Sequence, residues 1–355
     1  MANRIFELPE TKGQFQCKGI VKGVASNRFY TSKKTKTGKD FRAVNFGVEY
    51  DNQRTVYMSL NGMPQQNVYF TKRNGATGKT ETKTVAWANR NKFNEDGFRM
   101  IGVNLGLEKT TGADGKTVNE KKTMTPFDAC GYINEHAQDG TSVFVRGNVE
   151  FSSYQDNDGN IRRSTKYIPG QISLCKDVDF DEYDEENKPV HNFTQTIVFT
   201  SIEKEKENDR ETGRFVVSAK IVTWADIIST EFIITDSKLA GLFKKNLKPY
   251  NAISVHGNIE VTHGVQEQSE DDGWGEANTM KAVSVPTKTE MIITGADPHS
   301  IDRETYSEKS VSDAVNKIRN AKTAEQNFSG KASASTSSDD DWGDSNDMED
   351  DDTPW

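Results

Sequence analysis

The sequence predicts a mainly-β chain of two tandem five-stranded barrels with one helix each, a β-rich insertion in the first, and a disordered acidic tail. Three observations predict it. Short runs alternate apolar and polar residues at the period of a half-buried strand. Two of these runs are copies: 142–151 reads SVFVRGNVEF and 252–261 reads AISVHGNIEV, both centred on Gly-Asn, a β-branched residue and Glu. Each copy follows a stretch of helical character, and a repeat at this period implies duplicated units.

In the first copy, strands are expected over 15–30, 41–50 and 55–60. The helix is expected over 126–140 (PFDACGYINEHAQDG), with Asp128 as its N-cap and Gly140 as its stop. The Gly-Asn strand and a last strand over 162–174 complete the set. In the second copy the strands are 193–203, 214–223 and 227–235. The helix is 236–250, where Leu239, Leu242, Phe243 and Leu247 fall at helical spacing, and a strand over 280–294 ends the copy. Three strands, a helix and two strands is the order of an OB-fold; a generic five-stranded barrel is the plainer alternative. The tandem arrangement resembles the multi-OB architecture of replication protein A. The expected boundaries are 1–176 for the first domain, with its insertion at 62–125, and 177–190 for an acidic linker. The second domain is 191–298. A short amphipathic helix (299–328) follows, with Val311, Val315 and Ile318 on one face, and then a disordered linker and tail (329–355).

Of 355 residues, 33% are hydrophobic and 28% charged. No apolar run approaches the roughly 18 residues of a membrane span, and 1–10 lacks a signal pattern, so a soluble, cytoplasmic protein without membrane contact is expected. Cys17, Cys130 and Cys175 are odd in number and form no CxxC, which fits reduced thiols better than a disulfide framework or a zinc site. The net charge of −9 is unevenly spread. Residues 1–175 carry 26 basic and 17 acidic residues, 176–338 carry 19 and 28, and 339–355 carry nine acids and no Lys or Arg. Only the first segment has a surplus that attracts phosphates.

Within it, basic residues interleave with aromatics. The loop 31–40 (TSKKTKTGKD) holds Lys33, Lys34, Lys36 and Lys39, with Arg42 just beyond. The loop 152–166 holds Arg162, Arg163 and Lys166 near Tyr154. Tyr57 lies between them, and the insertion adds Lys72, Arg73, Trp87, Arg90, Lys92 and Phe93. Lys and Arg neutralise phosphates while unstacked bases lie on aromatic faces at roughly 1–3 kcal/mol each, so these sixteen residues are the candidate single-stranded DNA contacts. Because alternate strand residues face inward, about half of the aromatics are expected in the core. Trp87, Phe93, Tyr154 and Tyr57 are the expected stackers. The corresponding loops of the second copy are acidic, including 266–278 (QEQSEDDGWGEAN).

The chain ends DDDWGDSNDMEDDDTPW, too charged to offset its ordering entropy. Its last six residues, Asp350, Asp351, Asp352, Thr353, Pro354 and Trp355, resemble the tip of bacterial and phage single-stranded DNA-binding proteins: an acidic run, an aliphatic residue, Pro and Phe. Thr353 and Trp355 depart from that pattern. The resemblance implies that Asp350, Asp351, Asp352, Pro354 and Trp355 recruit replication or recombination proteins. An aromatic beside a carboxylate suits a pocket with an apolar slot and cationic donors.

Other motifs fail. Gly75 to Thr80 looks like half a P-loop, but Arg73 stands where Gly is required. Asp156 to Gly159 starts like a calcium loop and lacks the later ligands. The five His have no metal spacing, and no nucleophile–base pair is found. A non-enzymatic protein without metal, cofactor or small-molecule substrate is expected. The reading is a phage-encoded, sequence-tolerant single-stranded DNA binder of replication, recombination or repair, working in the bacterial host cytoplasm, as monomer or dimer. The alternatives are an acidic-tailed OB adaptor or DNA mimic that binds replication or defence proteins and no nucleic acid, and an enzyme whose nuclease or nucleotidyl-transfer site the insertion completes.

Overall fold

The structure, a computed structural model, describes residues 4–75, 77–112, 115, 117–155, 161–262 and 287–332. The first half opens with β1 (Gly13–Lys22), β2 (Tyr30–Lys34), β3 (Asp40–Asp51) and β4 (Arg54–Gly62). The insertion contributes β5 (Asn67–Arg73), β6 (Thr80–Ala86), a 3-10 turn (Trp87–Asn89), β7 (Arg99–Met100) and β8 (Val103–Gly106). It continues with β9 (Lys109–Thr111), β10 (Thr117–Asn119) and β11 (Lys122–Met124). Helix α1 (Pro126–His136) and the hairpin of β12 (Ser142–Gln155) and β13 (Ile161–Leu174) close the half. The second half runs β14 (Val190–Glu207), β15 (Arg210–Val222), β16 (Ile227–Ile234), α2 (Ser237–Asn246), β17 (Ala252–Thr262), β18 (Lys288–Asp302) and α3 (Glu308–Ala332).

The two discrete five-stranded barrels expected from the repeat are not what forms. One mixed sheet of 13 strands runs in the order β11–β8–β13–β12–β1–β14–β15–β16–β18–β17, with β3 branching from β1 to carry β2 and β4. A three-stranded sheet (β6–β5–β7) and a two-stranded one (β9–β10) lie beside it. The join is an antiparallel ladder of β1 with β14, six residue pairs from Gly13↔Gln195 to Lys18↔Val190. Its physical reason is the open edge of each half's first strand, a row of N–H and C=O groups that needs partners. Pairing the two edges also merges the cores. Phe15 stands opposite Phe193, and one apolar cluster extends from Val44 and Leu60 through Ile197, Phe232 and Ile259.

Two further contacts tie the halves. Residues 4–12 reach across: Phe6 and Leu8 pack with Val198, Val222 and, on α3, Val311, Ala314 and Ile318, while Thr11 N–H donates to Val222 O at 2.9 Å. Glu260 on β17 accepts from Tyr50 (3.4 Å), faces Arg54 (3.4 Å) and lies 3.2 Å from His191, whose ring stacks on Tyr50 at 4.0 Å. Burial, the largest influence, pushes the Tyr50 hydroxyl up to about 12.

Locally, the strand expected over 15–30 divides into β1 and β2, separated by turns over 23–29. Helix α1 is capped by Thr125, not Asp128: the Thr125 hydroxyl accepts from Asp128 N–H at 3.2 Å, with Pro126 in the first turn. The repeated Gly-Asn marks a bend in each half. The β12–β13 register shifts between Arg146 and Gly147, and the β17–β18 register between His256 and Gly257. A Cβ at Gly147 would sit 1.9 Å from Ile168 O, and one at Gly257 1.8 Å from Ile292 O. The strands β12, β1, β14 and β17 then lie side by side. Two polar rows cross them, Arg146–Gln16–Asn192–Asn258 and Asn148–Gln14–Thr194–His256.

Gly147→Ala and Gly257→Ala should each destabilise the protein by about 1–3 kcal/mol, because a methyl must displace backbone. Gly241→Ala, on a face of α2 with nothing within 4 Å, should stabilise by about 0.5–1 kcal/mol. Denaturant midpoints of the three variants check this; an unchanged midpoint for Gly147→Ala would remove the steric account of the repeat.

Candidate nucleic-acid interface

Strand alternation divides β3 and β4 into two faces. Val44, Phe46, Val48 and Tyr50 of β3 and Val56, Met58 and Leu60 of β4 are buried. Their neighbours Asn45, Tyr57 and Asn61 are exposed, and Thr55 and Ser59 half-buried. Register adds Lys33 of β2 opposite Phe41 of β3, with the ammonium 5.9 Å from the ring centre, and Lys22 of β1 opposite Gly47. The outer face of β1–β4 thus carries Lys22, Lys33, Phe41, Asn45, Glu49, Tyr57 and Asn61, with Lys22 paired to Glu49 at 3.0 Å. Tyr57 is 69% exposed and stands opposite Gly47, where an added Cβ would meet its ring edge at 3.3 Å. The bare backbone lets the ring lie over the sheet.

The hairpin β2–β3 projects Lys34, Lys36 and Lys39 from the end of this face, and Lys34 pairs with Asp40 at 2.9 Å. On the other side, β13 packs across β4 and brings Arg163 towards Tyr57. In the same hairpin Tyr154 stands opposite Arg162 and Glu150 opposite Lys166. Tyr57 and Arg163 share a cleft of about 530 Å³ whose far wall belongs to the second half: Glu205, Thr230, Glu231 and Glu290.

The insertion residues assemble elsewhere. Phe93 packs on Phe70 (centroids 4.5 Å) and against Phe98 (6.3 Å), forming the small core of the β5–β6–β7 sheet. Lys72 donates to Asp96 O at 2.9 Å and reaches over Phe98, while Arg73 and Lys92 are exposed. Trp87 is half-buried, edge-on to Phe127 at 6.1 Å, with the Arg90 guanidinium 4.1 Å above its ring. Arg90 makes a bidentate pair with Asp128 (2.7 and 2.9 Å) and donates to Trp87 O. Burial pushes the Asp128 carboxyl up, but the bonds from Arg90 and Thr125 outweigh it and hold the group below its ordinary value. Arg42 lies 4.2 Å over the Phe127 ring. Arg42, Arg90 and Asp128 line a hollow of about 640 Å³ together with Arg99 and Lys122. Of the sixteen candidates, the outer face and cleft gather Lys33, Tyr57 and Arg163; Trp87, Arg90 and Arg42 form a separate cluster beside α1. Sequence reasoning did not name Lys22, Asn45 and Asn61. Their signal was the alternation that points them to the same side as Tyr57.

The proposed partner-binding residues Asp350, Asp351, Asp352, Pro354 and Trp355 lie outside the described residues, as do 156–160 and the acidic loop around Trp274. Among the described residues no group of three or more His, Cys, Asp or Glu side chains could hold a metal ion. Burial pushes the Cys17 thiol up and the Cys130 thiol up to about 12, so neither is a thiolate near neutrality. No described helix is long and apolar enough to cross a membrane.

Residues 72–330, well over half of the chain, match the family model YorF. The chain belongs to the YorF family. The match begins at the end of β5 and runs through α1, β12–β18 and most of α3, so it covers β14 but not β1, its partner at the junction of the two halves. No curated protein matches this YorF-family chain in sequence. Among solved structures it is similar to the single-stranded DNA binding protein from Thermus aquaticus. A deletion mutant of that protein aligns with 8% identity and a TM-score of 0.38, covering 81% of this chain and 94% of that one. The wild-type protein aligns with 8% identity and a TM-score of 0.37, covering 81% and 93%. Similarity of that size is too small to identify a shared fold.

The insertion is anchored to α1 by ionic contacts as well. Glu108 accepts from Lys122 and from the Tyr132 hydroxyl (2.6 Å) and lies 3.3 Å from His136. Lys122, then Tyr132, holds the Glu108 carboxyl down to about 2 from 4.5. A carboxyl held below its unfolded value contributes stability above pH 4.5 and loses it as pH falls towards 2. Glu108→Gln should therefore lower the melting temperature at neutral pH and shrink the loss of stability between pH 4.5 and 2. Melting curves of both proteins across that range test it; parallel pH profiles would show that Glu108 is not held there.

Proposed function

We propose that this protein binds single-stranded DNA in a sequence-tolerant way, along the outer face of β1–β4 and into the cleft beside β13, in replication or recombination. The observation that carries the reading is the exposed Tyr57 ring lying on a face edged by Lys22, Lys33 and Arg163, in the half that holds 26 basic against 17 acidic residues. A stackable ring bordered by cations meets both needs of an unpaired strand, a surface for the base and neutralisation for the phosphate. Tyr154, opposite Arg162, is the second stacking platform. Lys34, Lys36, Lys39 and Lys166 contribute general attraction, and Arg73, Lys72 and Lys92 extend it over the insertion. Trp87 and Arg90 support this surface by holding the insertion on α1, and Phe93 builds the insertion's own core. The acidic tail, with Asp350, Asp351, Asp352, Pro354 and Trp355, recruits partner proteins. A second reading, an acidic mimic that engages other proteins and no nucleic acid, is favoured by the 28 acidic against 19 basic residues over 176–338.

A fluorescence titration with oligo-dT separates the two. The DNA-binding reading expects log K to fall against log salt with a slope of about −0.7 per phosphate neutralised. Tyr57→Ala and Tyr154→Ala should each weaken binding by about 1–3 kcal/mol. Because Tyr57 is largely exposed, its substitution should leave the melting temperature nearly unchanged. Salt-insensitive binding, or full affinity in the double variant, would remove this interface.

A further inference from the structure

The cleft between β4, β13 and the second half has two chemically different walls. On one stand Tyr57, with its exposed ring, and Arg163; on the other stand three carboxylates, Glu205, Glu231 and Glu290. Two of the carboxylates are committed. Arg214 lies 3.3 Å from Glu205 and 2.7 Å from Glu290, and Lys288 lies 2.8 Å from Glu290. Glu231 is exposed and makes no ion pair or side-chain hydrogen bond among the described residues, and the same is true of Arg163. A cation and an anion, each without an ion-pair partner among the described residues, therefore line one cleft of about 530 Å³ from the two halves, with a bare aromatic ring beside them. The Tyr167 hydroxyl, on another residue lining the cleft, is buried and has no hydrogen-bond partner among the described residues.

Electrostatic attraction to phosphate accounts for Arg163 and not for Glu231, since a carboxylate repels the backbone of any strand entering the cleft. A carboxylate beside a stacking surface can accept hydrogen bonds from the amino edge of a base. Cytosine presents a donating exocyclic amine at the position where thymine presents an accepting oxygen, and Glu or Asp is the side chain that pairs with the former. Thymine in the same place would set its oxygen against the carboxylate.

We infer that the cleft is a base-reading pocket in which the ring of Tyr57 stacks one base, Arg163 holds its phosphate and Glu231 accepts from its exocyclic amine, so that cytosine is preferred to thymine. This inference rests on the single-stranded DNA reading above and adds a local selectivity to an otherwise sequence-tolerant surface. It also gives the second half a role in recognition despite its acidic balance. The β1–β14 junction fixes Glu231 opposite Arg163, so selectivity depends on the two halves forming one sheet.

The test is a competition titration on the full chain with oligo-dC and oligo-dT of about 12 nucleotides, within the span a single-strand groove tracks. The wild type should favour dC by roughly fivefold or more, the lower end of what one base contact contributes. Glu231→Gln should bring the dC to dT ratio close to one and raise dT affinity, because the amide can donate to the thymine oxygen. Tyr57→Ala should weaken both oligomers together. Glu231 is exposed, so its variant should fold; its melting temperature confirms that. Equal dC and dT affinity in the wild type, or a preference unchanged in Glu231→Gln, overturns the pocket while leaving the general DNA reading intact. Failure of both oligomers to bind overturns both.

Discussion

Everything in this molecule depends on the antiparallel pairing of β1 with β14. It satisfies the open edges of two strands at once and brings Phe15 against Phe193, so that two half-cores become one. The remaining inter-half contacts reinforce it from either side. Residues 4–12 cross to pack under α3, and Glu260 gathers Tyr50, Arg54 and His191. A chain whose first strand is shared between both halves, and whose first apolar residues pack on the second, cannot release one half without exposing the core of the other.

That junction is also what the sequence could not reveal. The strands themselves were legible, because Val44, Phe46 and Val48 alternate with polar residues as half-buried strands must, and so was the repeat around Gly147 and Gly257. The partner of a strand edge is set by contacts some 180 residues away, and nothing in GQFQCKGIVK says whether its free edge will be covered, paired or left in water. The expectation of two separate barrels failed at that step. Finer details failed for local reasons. Asp128 looks like an N-cap, but Pro126 fits the first helical position only if Thr125 caps, which moves Asp128 one turn inward to meet Arg90.

The candidate interface was half legible. Composition marked the first half as the cationic one, and Tyr57 stands out because its neighbours Val56 and Met58 are plainly core. In the insertion, Trp87 and Arg90 pack on each other, on Phe127 and on Asp128, while Phe93 packs on Phe70 and Phe98, contacts that residue type alone does not disclose. Glu231 could not be recognised from sequence, because its meaning comes from facing Arg163 across the junction.

The central claim is that a single strand lies on the outer face of β1–β4 and in the adjoining cleft of one continuous sheet. Photo-cross-linking of the full chain to a bromodeoxyuridine oligomer, followed by mapping of the adducted peptides, addresses it most directly. The account predicts adducts on the peptides that carry Tyr57 and Tyr154, with the α2 and α3 peptides unmodified. Adducts confined to the second half, or centred on Trp87 with none at Tyr57, would contradict it.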